Sequence, residues 1–357
     1  MELQEKIKTF PQTPGVYLMK DSAENIIYIG KSKHLRSRVQ SYFRPSGQGS
    51  RKIENLVFHV KDVEYIETDT EFEALLLECQ LIQQLKPSFN SLMKNPERYC
   101  YIVFSEEHKL PWMKIANTIS EQDYLYFGPF SNKNTVEVAI QGLKEHFKIA
   151  CLSFPRHKSA CLNYSLGQCI GICTGKNLSQ YHTIIENIIN LFNGQNDTLL
   201  QELEMTMENF ANTYAFEKAA KYRNYLLALR SILNQIKGIR FIDEAGAIVL
   251  FEKLDEKTVK FFLIKGNRIL YRKKYTLSQS MEVAHMVDEW INHIKKAKYT
   301  PSLRLTKEEM DTARIIYHYL EKDECYYLQI PESSLQKGKF PNLERKLAEM
   351  IDSFIPT

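Results

Sequence analysis

Between Pro14 and Asn90 the chain carries a narrow set of reactive groups: tyrosines, an arginine, a lysine and one distinctively placed carboxylate. Gly15-Val16-Tyr17 is followed by Tyr28-Ile29-Gly30, then by Lys31, Arg38 and Tyr42, and the stretch closes on Glu78 and Asn90. It has no His pair, no acidic cluster and no nucleophilic elbow. A lone hard carboxylate that keeps water ligands suits Mg²⁺ or Mn²⁺. One such ion with a guanidinium can stabilise both ends of an in-line displacement. Read alone, the stretch points to metal-dependent phosphodiester cleavage.

The surrounding charge fits that substrate. Lys31, Lys33, Arg36, Arg38, Arg44, Arg51 and Lys52 fall between Ile26 and Ile53 with no acidic residue among them. A block of this kind attracts polyanions by releasing their counterions, although a solvated basic face would read the same way in isolation. A second group of residues is metal-like. Of seven cysteines, Cys151, Cys161, Cys169 and Cys173 fall within 23 residues. An odd total and an N-terminus without a secretory signal argue against a disulfide framework and for a cytosolic protein. Two of the gaps are too long for paired CxxC knuckles, and tetrathiolate ligation suits zinc or an iron–sulfur cluster alike.

The elements that must position these residues follow from periodicity. Val16 to Met19 and Ile26 to Ile29 are short apolar runs around Lys20-Asp21-Ser22-Ala23-Glu24-Asn25, a β-hairpin flanked by Gly15 and Gly30. Helical spacing replaces it from Lys33 to Phe43. Thr70 with Glu73 three residues on is a capping box, opening a helix that ends at Lys86-Pro87. Glu78 falls on the apolar face of that helix, where a carboxylate needs an ionic partner or a cation.

These residues resemble the GIY-YIG nucleases, and within them the UvrC family. Tyr28 to Arg38, Glu73 to Glu78 and Leu85-Lys86-Pro87-Ser88-Phe89-Asn90 are similar to how that family writes these segments. The resemblance implies that Glu78 holds a single Mg²⁺ or Mn²⁺ and that Tyr28 takes the proton from the attacking water. It further implies that Arg38 balances the developing charge, that Tyr17, Lys31 and Tyr42 position water and phosphate, and that Asn90 completes the set. A tyrosine base, with a reference pKa near ~10, is poor at neutral pH, and Lys31, Arg38 and the metal are expected to favour its phenolate. Cys79-Gln80 and a loop insertion at Ser46-Gly47-Gln48-Gly49 depart from the family pattern.

The resemblance continues. Cys161 to Cys173, preceded by Tyr126-Phe127-Gly128-Pro129-Phe130, is similar to the family's cysteine motif and implies a [4Fe–4S] cluster, with zinc the alternative. Here Phe147-Lys148-Ile149-Ala150 replaces the usual arginine before Cys151. Helical spacing from Thr198 to Ala211 and from Phe216 to Ile236 gives a hairpin that two helices alone rarely stabilise, so a partner is expected. Its wording resembles the UVR motif, which implies docking on a UvrB-like protein through Tyr214, Phe216 and Arg223, although self-association would also fit.

The C-terminal third reads as strands at 247–251, 258–264 and 269–275 with a Gly266-Asn267 turn, then helices near 281–297 and 307–321. It is similar to part of an RNase H-like fold, yet no Asp-Asp-His set assembles, and Gly338 is the only glycine beyond Gly266 for helix-hairpin-helix repeats. Asp243, Asp255 and Asp288 are expected to be solvated, and this third to be non-catalytic. The expected fold is α/β (α+β): a nuclease domain over 1–95, a cysteine-cluster DNA-binding segment over 96–195, a helical hairpin over 196–237 and a terminal α/β module over 238–357. The expected activity is a single-strand cut on the 3′ side of a lesion in damaged double-stranded DNA, in UvrABC-type excision repair, as in short homologues similar to Cho. The alternatives are a GIY-YIG nuclease acting on branched or foreign DNA and a non-catalytic DNA- or UvrB-binding protein. No run of residues is apolar enough for a membrane span.

Overall fold

The computed structural model describes residues 3–44, 51–91, 99–107, 110–120, 123–151, 160–244, 246–276, 280–296, 307–322, 325–337 and 342–352. The expected insertion at Ser46 to Gly49 and Gly338 lie outside them. The chain forms two compact units, one from residues 1–96 with 240–357 and one from 97–239.

In the first unit, α1 (Leu3–Lys8) leads into β1 (Gly15–Lys20) and β2 (Ile26–Ser32), followed by α2 (Leu35–Tyr42), α3 (Arg51–His59), β3 (Asp62–Glu67) and α4 (Glu71–Leu85). The strands form an antiparallel sheet in the order β2-β1-β3. The Asp21 carboxylate accepts the backbone N–H groups of Ala23 and Asn25, both at 2.9 Å, and so closes the β1–β2 turn. Tyr17, Met19, Leu35, Val39 and Val63 fill one side of the sheet, while Val16, Ile29, Ala74 and Ile82 fill the other. A middle strand buried on both faces reads as a continuous apolar run, as Gly15 to Met19 does.

α4 begins where the capping box placed it. The Thr70 hydroxyl accepts the Glu73 N–H at 3.1 Å, but the Glu73 carboxylate reaches back to the Asp69 N–H rather than to that of Thr70. The helix ends at Lys86, left-handed at φ 48°, whose N–H closes on the Ile82 carbonyl before Pro87 forbids another turn.

The second unit holds β4 (Cys100–Glu107), β5 (Leu110–Ala116) and β6 (Asp123–Phe130) in the order β5-β4-β6, then α5 (Lys133–His146), α6 (Leu162–Ser165), α7 (Leu178–Phe192), α8 (Thr198–Asn212) and α9 (Phe216–Glu244). The hairpin of α8 and α9 also packs within the second unit. Leu203, Leu226, Leu229, Ile232 and Ile236 share one core with Phe104, Phe127, Ile188 and Phe192. α9 also runs past Ile239, where strands were expected to begin. Gly238 is tolerated within the helix, and the described chain next turns at Gly246, with φ 64°.

The remainder of the first unit is β7 (Ala247–Lys253), β8 (Thr258–Lys265), β9 (Arg268–Thr276), α10 (Ser280–Lys296), α11 (Lys307–Leu320), β10 (Tyr326–Ile330), α12 (Glu332–Lys337) and α13 (Leu343–Asp352). Its four strands are antiparallel in the order β10-β7-β8-β9. Trp290, Ile294, Leu347 and Ile351 cover one face of this sheet. On the other face, Ile248, Leu250, Phe262 and Ile264 meet Ala313 and Ile316 of α11 and Phe72 of α4. Asp255 and Asp288 are exposed, as expected.

Phe72 is fully buried, with its ring centroid 5.3 Å from that of Phe262 and 4.9 Å from that of Tyr319. Burial of such a ring contributes about 2–3 kcal/mol. Beside it, Lys260 Nζ donates to both oxygens of Glu73 at 2.7 Å and to Asp69 at 2.6 Å, and Arg272 reaches Glu73 at 3.1 Å. A buried ion cluster of this kind is costly to break from one side, because the surviving charge stays desolvated. Lys260→Met is therefore expected to destabilise the first unit by about 3 kcal/mol, and Lys260→Met with Glu73→Leu by clearly less. Thermal midpoints of the single and double variants test this, and an unshifted single variant would contradict it.

Candidate active site

Strand register brings the tyrosines together. Tyr17 on β1 lies opposite Gly30 on β2, and a Cβ at Gly30 would sit 2.3 Å from the Tyr17 hydroxyl. A Cβ at Gly15 would sit 2.4 Å from the Ile66 carbonyl and 2.7 Å from Leu35. Gly15 opens β1 and Gly30 lies inside β2. They are bare because a ring and a third strand occupy the space a side chain would need.

The Tyr17 and Tyr42 hydroxyls are 2.8 Å apart, and Tyr28 completes the trio at centroid distances of 6.2 Å and 6.3 Å from them. The Arg38 guanidinium stands 5.2 Å from the Tyr42 ring centre, one helical turn earlier on α2. The Asn90 carboxamide bonds both the N–H and the carbonyl of Ile29 at 2.9 Å. It therefore clamps the backbone beside Tyr28.

Glu78, on α4, faces this group. One carboxylate oxygen accepts the Lys31 backbone N–H at 3.1 Å. Among the described residues no ammonium or guanidinium forms an ion pair with it, so a buried salt bridge does not explain its place on the apolar face. Burial pushes its pKa up, and the Lys31 amide, the Lys31 charge and Arg38 only partly oppose that. A half-buried, oxygen-only donor without a side-chain counterion among the described residues suits one hard divalent cation, and Glu78 is the residue that would hold it.

Among the protein groups alone, the tyrosines are pushed toward the protonated phenol. Burial raises the pKa of Tyr28 first, and the hydrogen bond and charge of Tyr42 and the charge of Glu78 raise it further. Burial likewise raises Tyr17. Lys31 and Arg38 therefore do not by themselves favour the Tyr28 phenolate. The Lys31 ammonium turns instead to Glu71, 2.6 Å away. A divalent cation near Glu78 supplies the missing positive charge when bound.

The basic block divides. Lys33, Arg38, Arg44, Arg51 and Lys52 are exposed, and α3 carries the last two. Lys52 reaches Ser91 at 3.4 Å. Arg36 is an exception, since its Nε donates to the Phe10 carbonyl at 2.5 Å and braces the domain from within.

In the second unit the sulfurs of Cys151, Cys161 and Cys173 lie within 4.8 Å of one another, and those of Cys151 and Cys161 are 3.8 Å apart. The Cys169 sulfur accepts the Gly171 N–H at 3.4 Å and lies against that of Cys161. A tetrahedral zinc with Zn–S bonds of ~2.3 Å has sulfur–sulfur edges of roughly 3.8 Å. A cubane places its thiolates on four separate irons and spreads them further. At the hairpin tip Tyr214 and Phe216 are 81% and 65% exposed, with ring centroids 6.0 Å apart, and Arg223 is exposed on the next turns of α9.

Family models match along the chain: a UvrC-like GIY-YIG domain over residues 13–91, the UvrC/Cho excinuclease middle domain over 99–191 and the UvrB/uvrC motif over 197–232. The chain belongs to the UvrC family. It is 30% identical to the UvrABC system protein C of Acetivibrio thermocellus over 98% of this chain and 57% of that protein. It is 33% identical to that of Alkaliphilus metalliredigens over 78% of this chain and 46% of that protein. It thus spans about half the length of the curated relatives it matches. A crystal structure of the GIY-YIG N-terminal endonuclease domain of UvrC from Thermotoga maritima, bound to magnesium, is 35% identical, with a TM-score of 0.23, and covers 25% of this chain and 96% of that one. Among the described residues no helix is long and apolar enough to cross a membrane.

Glu71 is the residue that reading the sequence missed. It sits in the first turn of a capped helix, where an acidic residue is ordinary, and only the fold shows its lysines. The close approach of Tyr17 to Gly30 gives a direct test. Gly30→Ala is expected to cost about 1–3 kcal/mol by overpacking, and in a Tyr17→Ala background the same change should cost almost nothing. A double-mutant cycle of thermal midpoints reads the coupling, and additive effects would contradict the geometry.

Proposed function

We propose that this chain is a single-site, metal-dependent DNA endonuclease that nicks one strand on the 3′ side of a lesion in UvrABC-type excision repair. The observation that carries this reading is Glu78, a half-buried carboxylate without a salt bridge among the described residues, beside a tyrosine trio and Arg38. Relatives named UvrABC system protein C and the matched UvrC domains support the repair context.

In this reading Glu78 holds one Mg²⁺ or Mn²⁺, which polarises a phosphate oxygen and lowers the pKa of nearby groups when bound. Tyr28 accepts the proton of the attacking water. Tyr17 and Tyr42 fix the Tyr28 ring and its hydroxyl. Arg38 offsets the charge that develops on the phosphate, and Asn90 keeps the strand under Tyr28 in register. The exposed Lys33, Arg38, Arg44, Arg51 and Lys52 meet backbone phosphates of double-stranded DNA.

Tyr214, Phe216 and Arg223 form the contact for a UvrB-like partner, because two large aromatic rings held open at a hairpin tip have no use inside the second unit. The cysteines hold a metal for structure or DNA sensing. Family resemblance favours a [4Fe–4S] cluster, while the 3.8 Å sulfur spacing favours a single zinc. A thiolate–iron charge-transfer band in purified protein, or zinc by metal analysis, decides between them. The terminal module, 238–357, is non-catalytic here, with some likeness to an RNase H-like fold.

Incision of a lesion-bearing duplex tests the whole reading. Wild-type protein with Mg²⁺, UvrA and UvrB should nick one strand, and Glu78→Gln should lose at least 10²-fold in rate with DNA binding retained. Absence of nicking by the wild type would refute the nuclease assignment. Nicking indifferent to lesion and partners would move the protein outside repair.

A further inference from the structure

Three lysines converge on Glu71, at the start of α4. Lys31 Nζ approaches Glu71 Oε1 at 2.6 Å, Lys33 Nζ approaches Oε2 at 3.3 Å, and Lys322 Nζ approaches Oε2 at 3.1 Å. Lys31 lies at the end of β2 and Lys33 just beyond it in the nuclease domain, whereas Lys322 follows α11 in the terminal module. Glu71 itself is only 11% exposed, while Lys31, Lys33 and Lys322 are 32%, 58% and 41% exposed. One carboxylate therefore gathers three lysines whose side chains remain partly exposed.

The arrangement is built. Lys322 Nζ lies 4.4 Å from the centre of the Tyr319 ring, which packs on Phe72, the neighbour of Glu71. The Tyr319 hydroxyl is fixed in turn by the Glu252 carboxylate. A groove of about 400 Å³ opens beside the cluster, lined by Lys33, Glu71, Lys253, Tyr319, Lys322 and Tyr326. The lysine bonds hold the Glu71 carboxyl at about 2 against the opposing effect of burial, so it stays ionised across the working range. Glu71 against Lys31, Lys33 and Lys322 leaves two positive charges, and the other carboxylates of the groove are engaged elsewhere, Asp69 by Lys260 and Lys274 and Glu252 by the Tyr319 hydroxyl. Ammonium groups this close would repel one another unless a carboxylate sat between them, so Glu71 organises the cluster more than it neutralises it.

We propose that Lys31, Lys33 and Lys322, organised by Glu71, form a cradle for a DNA backbone phosphate next to the cleavage site, to which the terminal module contributes Lys322. This rests on the DNA-incision reading and gives the terminal module a part in it. Glu71 is a positioning residue in this account and touches no reacting atom.

The test uses the full chain carrying Glu78→Gln, so that binding is read without cutting. Affinity for a lesion-bearing duplex is followed by fluorescence anisotropy across a salt series. Lys322→Met should weaken binding several-fold and reduce the slope of log affinity against log salt by roughly 0.9, the loss of one phosphate contact. Lys322→Arg should restore both. Glu71→Gln makes the surface more positive, so simple electrostatics predicts tighter binding, whereas loss of the cradle predicts weaker binding. An unchanged salt slope in Lys322→Met, or tighter binding by Glu71→Gln, would overturn the proposal. A parent protein that binds no DNA at any salt would overturn the DNA reading itself, and this inference with it.

Discussion

The carboxylate of Glu78 is half-buried on the apolar face of α4, takes one backbone N–H, and among the described residues meets no side-chain cation. A charge in that position is tolerated when a cation completes it. Much of the first unit follows from keeping it there. The helix must start in register, which Thr70 and Glu73 fix, and it must not roll, which Phe72 and the Lys260 cluster prevent. Opposite it, the close approach of Tyr17 to Gly30 sets the tyrosine hydroxyls beside the same space. Glu78, Tyr28 and Arg38 come from three different elements, α4, β2 and α2.

The terminal module takes part in this support. Phe72 belongs to the core under β7 and β8, and Glu73 is neutralised by Lys260 of β8. The helix that presents Glu78 is thereby an element of two layers at once. Removing the module would expose Phe72 and leave Glu73 without Lys260 and Arg272, in a helix whose alignment the chemistry needs.

Local order was legible in the sequence to the extent that it depends on near neighbours. The hairpin showed in its apolar runs, α4 in its cap and in Lys86-Pro87, α8 in its helical period, and β8–β9 in Gly266-Asn267. Residues that act across the chain were not legible. Lys260 and Glu73 are 187 positions apart and Lys322 and Glu71 are 251 apart, and no local pattern ties such pairs. Gly15 and Gly30 were visible as glycines, but their reason, a ring and a third strand in the way, is a matter of tertiary packing. Lys31 was read as a neighbour that would favour the phenolate of Tyr28, and in the fold its ammonium belongs to Glu71. The four cysteines stood out by their density, and the fold brings the sulfurs of three of them within 4.8 Å of one another.

The central claim is that Glu78 is the ligand of one catalytic divalent ion. Titration of the full chain with Mn²⁺, followed by electron paramagnetic resonance, tests it most directly. One ion should bind per nuclease site and be lost in Glu78→Gln. Burial raises the proton affinity of this carboxyl, so binding should weaken as pH falls while still above the ordinary carboxylate value of ~4.3. Undiminished Mn²⁺ binding by Glu78→Gln would contradict the account.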